Sequence, residues 1–140
     1  MRKTIAFIIL AVSLYACGSK KNITEIRLGT EKTIAYQSLG NGVAAISLTL
    51  YKNNTFKLNF KSIPQPETNE KPVKHSEIGT YIGEGDWKTL QFVTNDFDAY
   101  ALFDPQYSNP DEIKVLNENT VKINTAKQTL NIWGVLCERE

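Results

Sequence analysis

The chain is poor in the groups that do chemistry. Its 140 residues hold one histidine and two cysteines, and 16 Lys and Arg face 15 Asp and Glu. A zinc site takes three or four clustered nitrogen or sulfur ligands, which one His and one remaining Cys cannot supply, so no metal or cofactor is expected. The balanced charge leaves no basic footprint, which excludes a nucleic-acid partner. After residue 30 no segment keeps a helical apolar period over three turns, and only Lys32 to Leu39 is ambiguous.

Long apolar runs are absent with one exception. Thr4 to Ala16 (TIAFIILAVSLYA) follows the cationic start Met1-Arg2-Lys3. Roughly 20 residues are needed to cross a bilayer as a helix, so this run is short for a permanent span and suits a secretory signal. Two cleavage chemistries compete for it. Ala11-Val12-Ser13 places small residues at −3 and −1 for an ordinary signal peptidase. Leu14-Tyr15-Ala16-Cys17 supplies the order Leu, tolerant position, Ala, Cys.

That tetrapeptide resembles the lipobox of bacterial lipoproteins, although Tyr15 is bulkier than the usual residue. The resemblance implies a signal peptide over residues 1–16, diacylglycerol on the Cys17 thiol and acylation of the new amino group. Three acyl chains anchor permanently in practice, each buried methylene contributing about 0.8 kcal/mol. Gly18 is not Asp, so the inner-membrane retention signal is missing and the outer membrane is the expected address. Residues 17–30, with Lys20-Lys21, read as a lipidated tether. The domain it carries, 31–140, faces either the periplasm or the cell surface.

Removal of residues 1–16 leaves 124, enough for one domain with a core, and takes the formal charge from +1 to −1 as Arg2 and Lys3 depart. If Cys17 is lipidated, Cys137 has no partner for a disulfide. It lies in Ile132-Trp133-Gly134-Val135-Leu136-Cys137, which suits burial as a small hydrophobe. Cleavage after Ser13 would instead leave a soluble protein free to form a Cys17–Cys137 bridge.

Along the mature chain, alternation dominates. Ile46, Leu48 and Leu50 share one face against Ser47, Thr49 and Tyr51. Phe56, Leu58 and Phe60 repeat the pattern after the turn Lys52-Asn53-Asn54. Pro64, Pro66 and Pro72 mark a long exposed loop that includes His75. Ile78–Gly83 and Trp87–Val93 predict a second hairpin around Glu84-Gly85-Asp86. Short strands are expected at 99–103, 113–116 and 121–124, and one longer strand from Thr129 to Leu136. About eight strands joined in order argue an all-β antiparallel meander, closed into a small barrel so that no edge is left bare.

An apolar strand, an Asn turn, a Phe-bearing strand, a long loop, then Gly-Thr-Tyr and a Trp-led strand resemble lipocalin-like, NlpE-like envelope lipoproteins over residues 36–95. The resemblance implies a lipocalin-like barrel on a tether. That family carries a Cys-x-x-Cys pair where this chain has Asn41-Gly42-Val43-Ala44-Ala45. Its copper and redox chemistry is therefore not implied.

Candidate sites are few. His75 beside Ser76 suggests a base and a nucleophile, but adjacent residues rarely serve one substrate, and a solvated loop is the plainer reading. Asp96, Asp98 and Asp104 lack the Gly and closing Glu of a calcium loop and read as turn formers. Of the aromatics Tyr36, Tyr51, Tyr81, Trp87, Tyr100, Tyr107 and Trp133, the set Trp87, Tyr81 and Tyr100 is the candidate ligand-binding mouth. The expected protein is a non-enzymatic outer-membrane lipoprotein with a binding or structural role in the cell envelope, its partner an envelope protein or a small apolar ligand. The alternative is a carrier of a small apolar ligand, and an envelope hydrolase comes last.

Overall fold

Asn54 sits at φ 60°, the left-handed value that Asn tolerates, and turns the chain between β2 (Ala44–Tyr51) and β3 (Thr55–Ser62). Their register runs from Ala44↔Ser62 to Leu50↔Phe56, which puts Ile46, Leu48, Leu50, Phe56, Leu58 and Phe60 on one buried face. In the computed structural model, which describes residues 25–40, 42–94 and 96–140, this hairpin is the middle of a nine-stranded antiparallel sheet. The other strands are β1 (Lys32–Ser38), β4 (Lys74–Ile82), β5 (Trp87–Phe92), β6 (Ile113–Asn117), β7 (Thr120–Asn124), β8 (Thr129–Ile132) and β9 (Val135–Arg139). The protein is all-β and barrel-like, as the alternation predicts. The signal segment 1–16, the acylation site Cys17 and the first part of the tether lie outside the described residues.

The strand order is β6-β7-β5-β4-β3-β2-β1-β9-β8. Only β1 to β5 follow the chain as a simple meander. The connection from β5 to β6 is long, so β7 rather than β6 pairs with β5, and the β8–β9 hairpin adds to the free side of β1. The edges are β6 and β8, and no ladder joins them. The barrel is closed there by side chains and by one helical turn.

That turn is α1 (Ala99–Leu102), where the sequence predicts a strand. Asp98 decides the outcome: its carboxylate accepts the Tyr100 amide at 2.9 Å, capping a helix start that a strand would not need. The Ala99 amide donates to the Glu118 carbonyl at the β6–β7 turn, and the Leu102 carbonyl accepts from the Trp133 amide at the β8–β9 turn. α1 thereby bridges the two edge hairpins. The predicted single strand 129–136 is also two strands. Trp133 at φ 53° and Gly134 at φ 70° fold it into a tight hairpin, which brings the strand count to nine.

The barrel has two distinct ends. At one, residues 25–31 run against the β2–β3 turn. Thr55 Oγ1 accepts the Gly29 amide at 3.0 Å, and Asn53 Nδ2 donates to the Arg27 carbonyl at 3.1 Å. Lys52 adds a backbone bond to Glu31 and an ion pair with its carboxylate. This is the entry end. The far end holds α1, the 63–73 loop and the Trp133–Gly134 turn.

Side chains fill the interior. Tyr36, Phe56, Phe92, Phe103, Leu48, Leu50, Leu58, Leu90, Ile123, Leu130, Ile132 and Val121 are each essentially inaccessible. Gly79 makes the aromatic centre possible. It pairs with Phe56 on β3 and with Phe92 on β5, and the two rings meet across it edge to face at 4.8 Å. A Cβ on Gly79 would lie 2.6 Å from the Phe56 ring and 2.0 Å from the Gln91 carbonyl. Cys137 is buried and free on β9, facing this core. Among the described residues no helix is long and apolar enough to cross a membrane.

Candidate functional site

The far end carries a cleft of about 470 Å³. Its position follows from three local decisions of the chain. Strand alternation turns Phe60 and His75, which are register partners on β3 and β4, toward the barrel mouth, with ring centroids 6.1 Å apart. The Trp133–Gly134 turn brings the indole edge to face onto Phe60 at 5.0 Å. The Asp98 cap starts α1 so that Phe97 and Leu102 form the floor.

Trp133 is the unusual member. A two-residue hairpin turn with positive φ at both positions favours Asn-Gly. A Trp there adopts a left-handed backbone at a cost of about 1–2 kcal/mol and keeps 43% of its surface exposed. Its indole also walls a second cleft of about 470 Å³ against Val43, Ile63 and Lys71. Local preference and burial both argue against Trp at this position. The contacts it makes are with the mouth.

The charged groups around the first cleft have one sign. Glu70, Asp96 and Asp98 line it, with no Lys or Arg among the lining residues. The ion pairs among the described residues are Lys32–Glu140 and Lys52–Glu31, so these three carboxylates have no basic partner there. Among the described residues no group of three or more His, Cys, Asp or Glu side chains is placed to hold a metal ion.

The sequence-derived candidates are scattered. Tyr81 points into the barrel near the entry end, 8% exposed, and its hydroxyl donates to the Tyr51 carbonyl at 2.6 Å. Trp87 lies on the outer surface at that same end, under the Lys114 ammonium at 4.8 Å from the ring centroid. Tyr100 is exposed on α1 at the far end, beside a shallow cleft formed with residues 117–119. These three do not form one mouth, because residues 81 and 87 fall on opposite faces of neighbouring strands and Tyr100 belongs to the helical turn. Trp133 was legible as an aromatic, but its role depended on seeing Trp-Gly as a turn.

His75 lies on a strand and not in the loop, since β4 starts at Lys74. Ser76 points away from it, its Oγ donating to Asn59 Oδ1 at 2.9 Å on the outer face. Alternation thus separates the pair. Asp104 accepts the Gln106 amide at 2.8 Å and acts as a turn former, as expected.

The chain matches no protein-family model, no curated protein and no solved structure.

Proposed function

We propose that the protein is a lipid-anchored lipoprotein of the bacterial outer membrane that works by non-enzymatic binding at the far end of its barrel. One structural observation carries the binding half: the chain enters at one end, and most of the exposed apolar side chains, Ile82 at the entry end excepted, gather at the other. Leu39, Val43, Ile63, Val73, Tyr107 and Trp133 are all exposed on far-end loops and turns. From Cys17 to Glu25 the chain spans roughly 28 Å at full extension. An anchor at Cys17 therefore tethers the entry end and leaves the apolar rim turned toward whatever the envelope presents. The packed interior supports this reading over a carrier of lipocalin type, which needs room inside the barrel.

Replacement of Cys17 by Ser tests the anchor. The expected result is loss of the protein from the membrane fraction and loss of incorporated palmitate. The mass of the mature protein from membranes should begin at an acylated Cys17. A product starting at Leu14 without acyl chains would sink the reading.

A further inference from the structure

The far-end cleft combines two features that together name a ligand class, and the inference rests on the reading of that end as the binding end. Its body is apolar and aromatic: Phe60, Phe97, Leu102 and Trp133. Its charges are Glu70 and Asp96, joined by Asp98, one of whose oxygens is already used on the Tyr100 amide. Lys71 and Lys74, close in sequence, line the neighbouring clefts and not this one. A volume of about 470 Å³ lies within the roughly 300–1,000 Å³ of small-molecule sites.

An anionic ligand would meet three carboxylates with no Lys or Arg among the lining residues, His75 being the one basic side chain there. A neutral apolar ligand would leave those carboxylates unused beside a low-dielectric floor. A cation gains from both parts at once, from the ring faces and from the negative rim. We propose that this cleft binds a hydrophobic organic cation, an aromatic or aliphatic body bearing a quaternary or protonated amine, with the body against Trp133 and Phe60 and the charge toward Glu70 and Asp96.

The test uses the full chain in neutral phosphatidylcholine nanodiscs, with empty discs as the partition control. Trp87→Phe leaves Trp133 as the sole tryptophan, to be excited selectively over the tyrosines, and Trp87 sits on the outer face away from the cleft. The probe is benzyltrimethylammonium, compared with its uncharged near-isostere 2-methyl-1-phenylpropan-2-ol. The expected result is saturable change in Trp133 emission, with the cation binding several-fold tighter than the alcohol. Glu70→Gln and Asp96→Asn should each weaken the cation about two- to fivefold and leave the alcohol unchanged. Salt should reduce the difference. Equal affinity for the two probes, insensitivity to both carboxylate replacements, or no change in emission with the cation up to about 50 mM, far weaker than a built small-molecule site, would each overturn the proposal. Because binding is read on purified protein, its failure leaves the anchoring result untouched. Failure of the Cys17 experiment likewise leaves the cleft standing.

Discussion

Glu112 reaches across the open seam of the barrel to Asn131. One carboxylate oxygen accepts the Asn131 amide at 3.2 Å and its side-chain Nδ2 at 3.3 Å. Glu112 immediately precedes β6 and Asn131 lies on β8, so a single buried carboxylate replaces the ladder that the two edge strands do not form. A bare edge is a template for pairing with other chains, and this contact protects it. Glu112→Ala should cost about 1.5–3 kcal/mol, the range for a hydrogen bond to a charged group, read as a lowered urea midpoint. Glu112→Gln, which keeps an acceptor, should cost less. In the Ala variant the Asn131 amide should also exchange with deuterium faster than the amides of β2 and β3.

Gly79 is the second point where one residue decides the packing. Phe92 touches Phe56, Phe97 at 4.2 Å and Phe103 at 6.2 Å, so the ring pair across Gly79 organises the aromatic core. Gly79→Ala forces a methyl group into a carbonyl and a ring, and overpacking of this kind costs about 1–3 kcal/mol. Phe92→Ala should cost about 3–5 kcal/mol. Chemical denaturation measures both, and a neutral Gly79→Ala would show that the strands part more easily than their register suggests.

The Cys137 thiol is pushed up from 9.0 to about 12 by burial, with a backbone hydrogen bond from Ile132 acting weakly the other way. The unfolded thiol ionises near 9, while the folded one holds its proton to about 12. Stability contributed by the neutral buried thiol is therefore complete below pH 9 and is lost as pH rises toward 12, by at most about 1.4 kcal/mol per pH unit. Burial also raises Tyr36, more than Arg139 lowers it, and its hydroxyl donates to the Lys127 carbonyl at 2.8 Å, so Tyr36 adds to the alkaline loss. Urea titrations from pH 8 to 11 should show a shallower decline for Cys137→Ala than for the parent. At neutral pH the thiol should react with a chromogenic disulfide reagent only at the rate of unfolding.

Trp133 tests whether the mouth is built for packing or for contact. Trp133→Asn restores the favoured Asn-Gly turn and removes the edge-to-face pair with Phe60, two effects of about 1 kcal/mol each and opposite in sign. The folded state should change by no more than about 1 kcal/mol, while both far-end clefts lose a wall. A loss above about 2 kcal/mol in a denaturation curve would assign the indole to the core instead.

Legibility differed by element. The β2–β3 hairpin was readable because the alternation of Ile46, Leu48, Leu50 and Phe56, Leu58, Phe60 is local and Asn54 carries its own turn chemistry. The burial of Cys137 was readable for the same reason. Residues 99–103 differ from the strand expected there, since AYALF is a short unbroken apolar run that periodicity alone cannot assign, and only the Asp98 cap, with its tertiary anchors at Glu118 and Trp133, selects a helix. Pro72, close before His75, places His75 in the loop by sequence, yet pairing with Phe60 extends the ladder back to Lys74.

Composition and alternation by themselves determined that this chain is β-structured, with one apolar face per strand, because the period of a strand is written in adjacent residues. Which strands meet was decided in three dimensions. The place of β7 beside β5, the Glu112 bridge to Asn131 and the convergence of Phe60, His75, Asp96 and Trp133 join residues 15 to 73 positions apart. Such contacts depend on how the whole interior fills, and no local pattern encodes them.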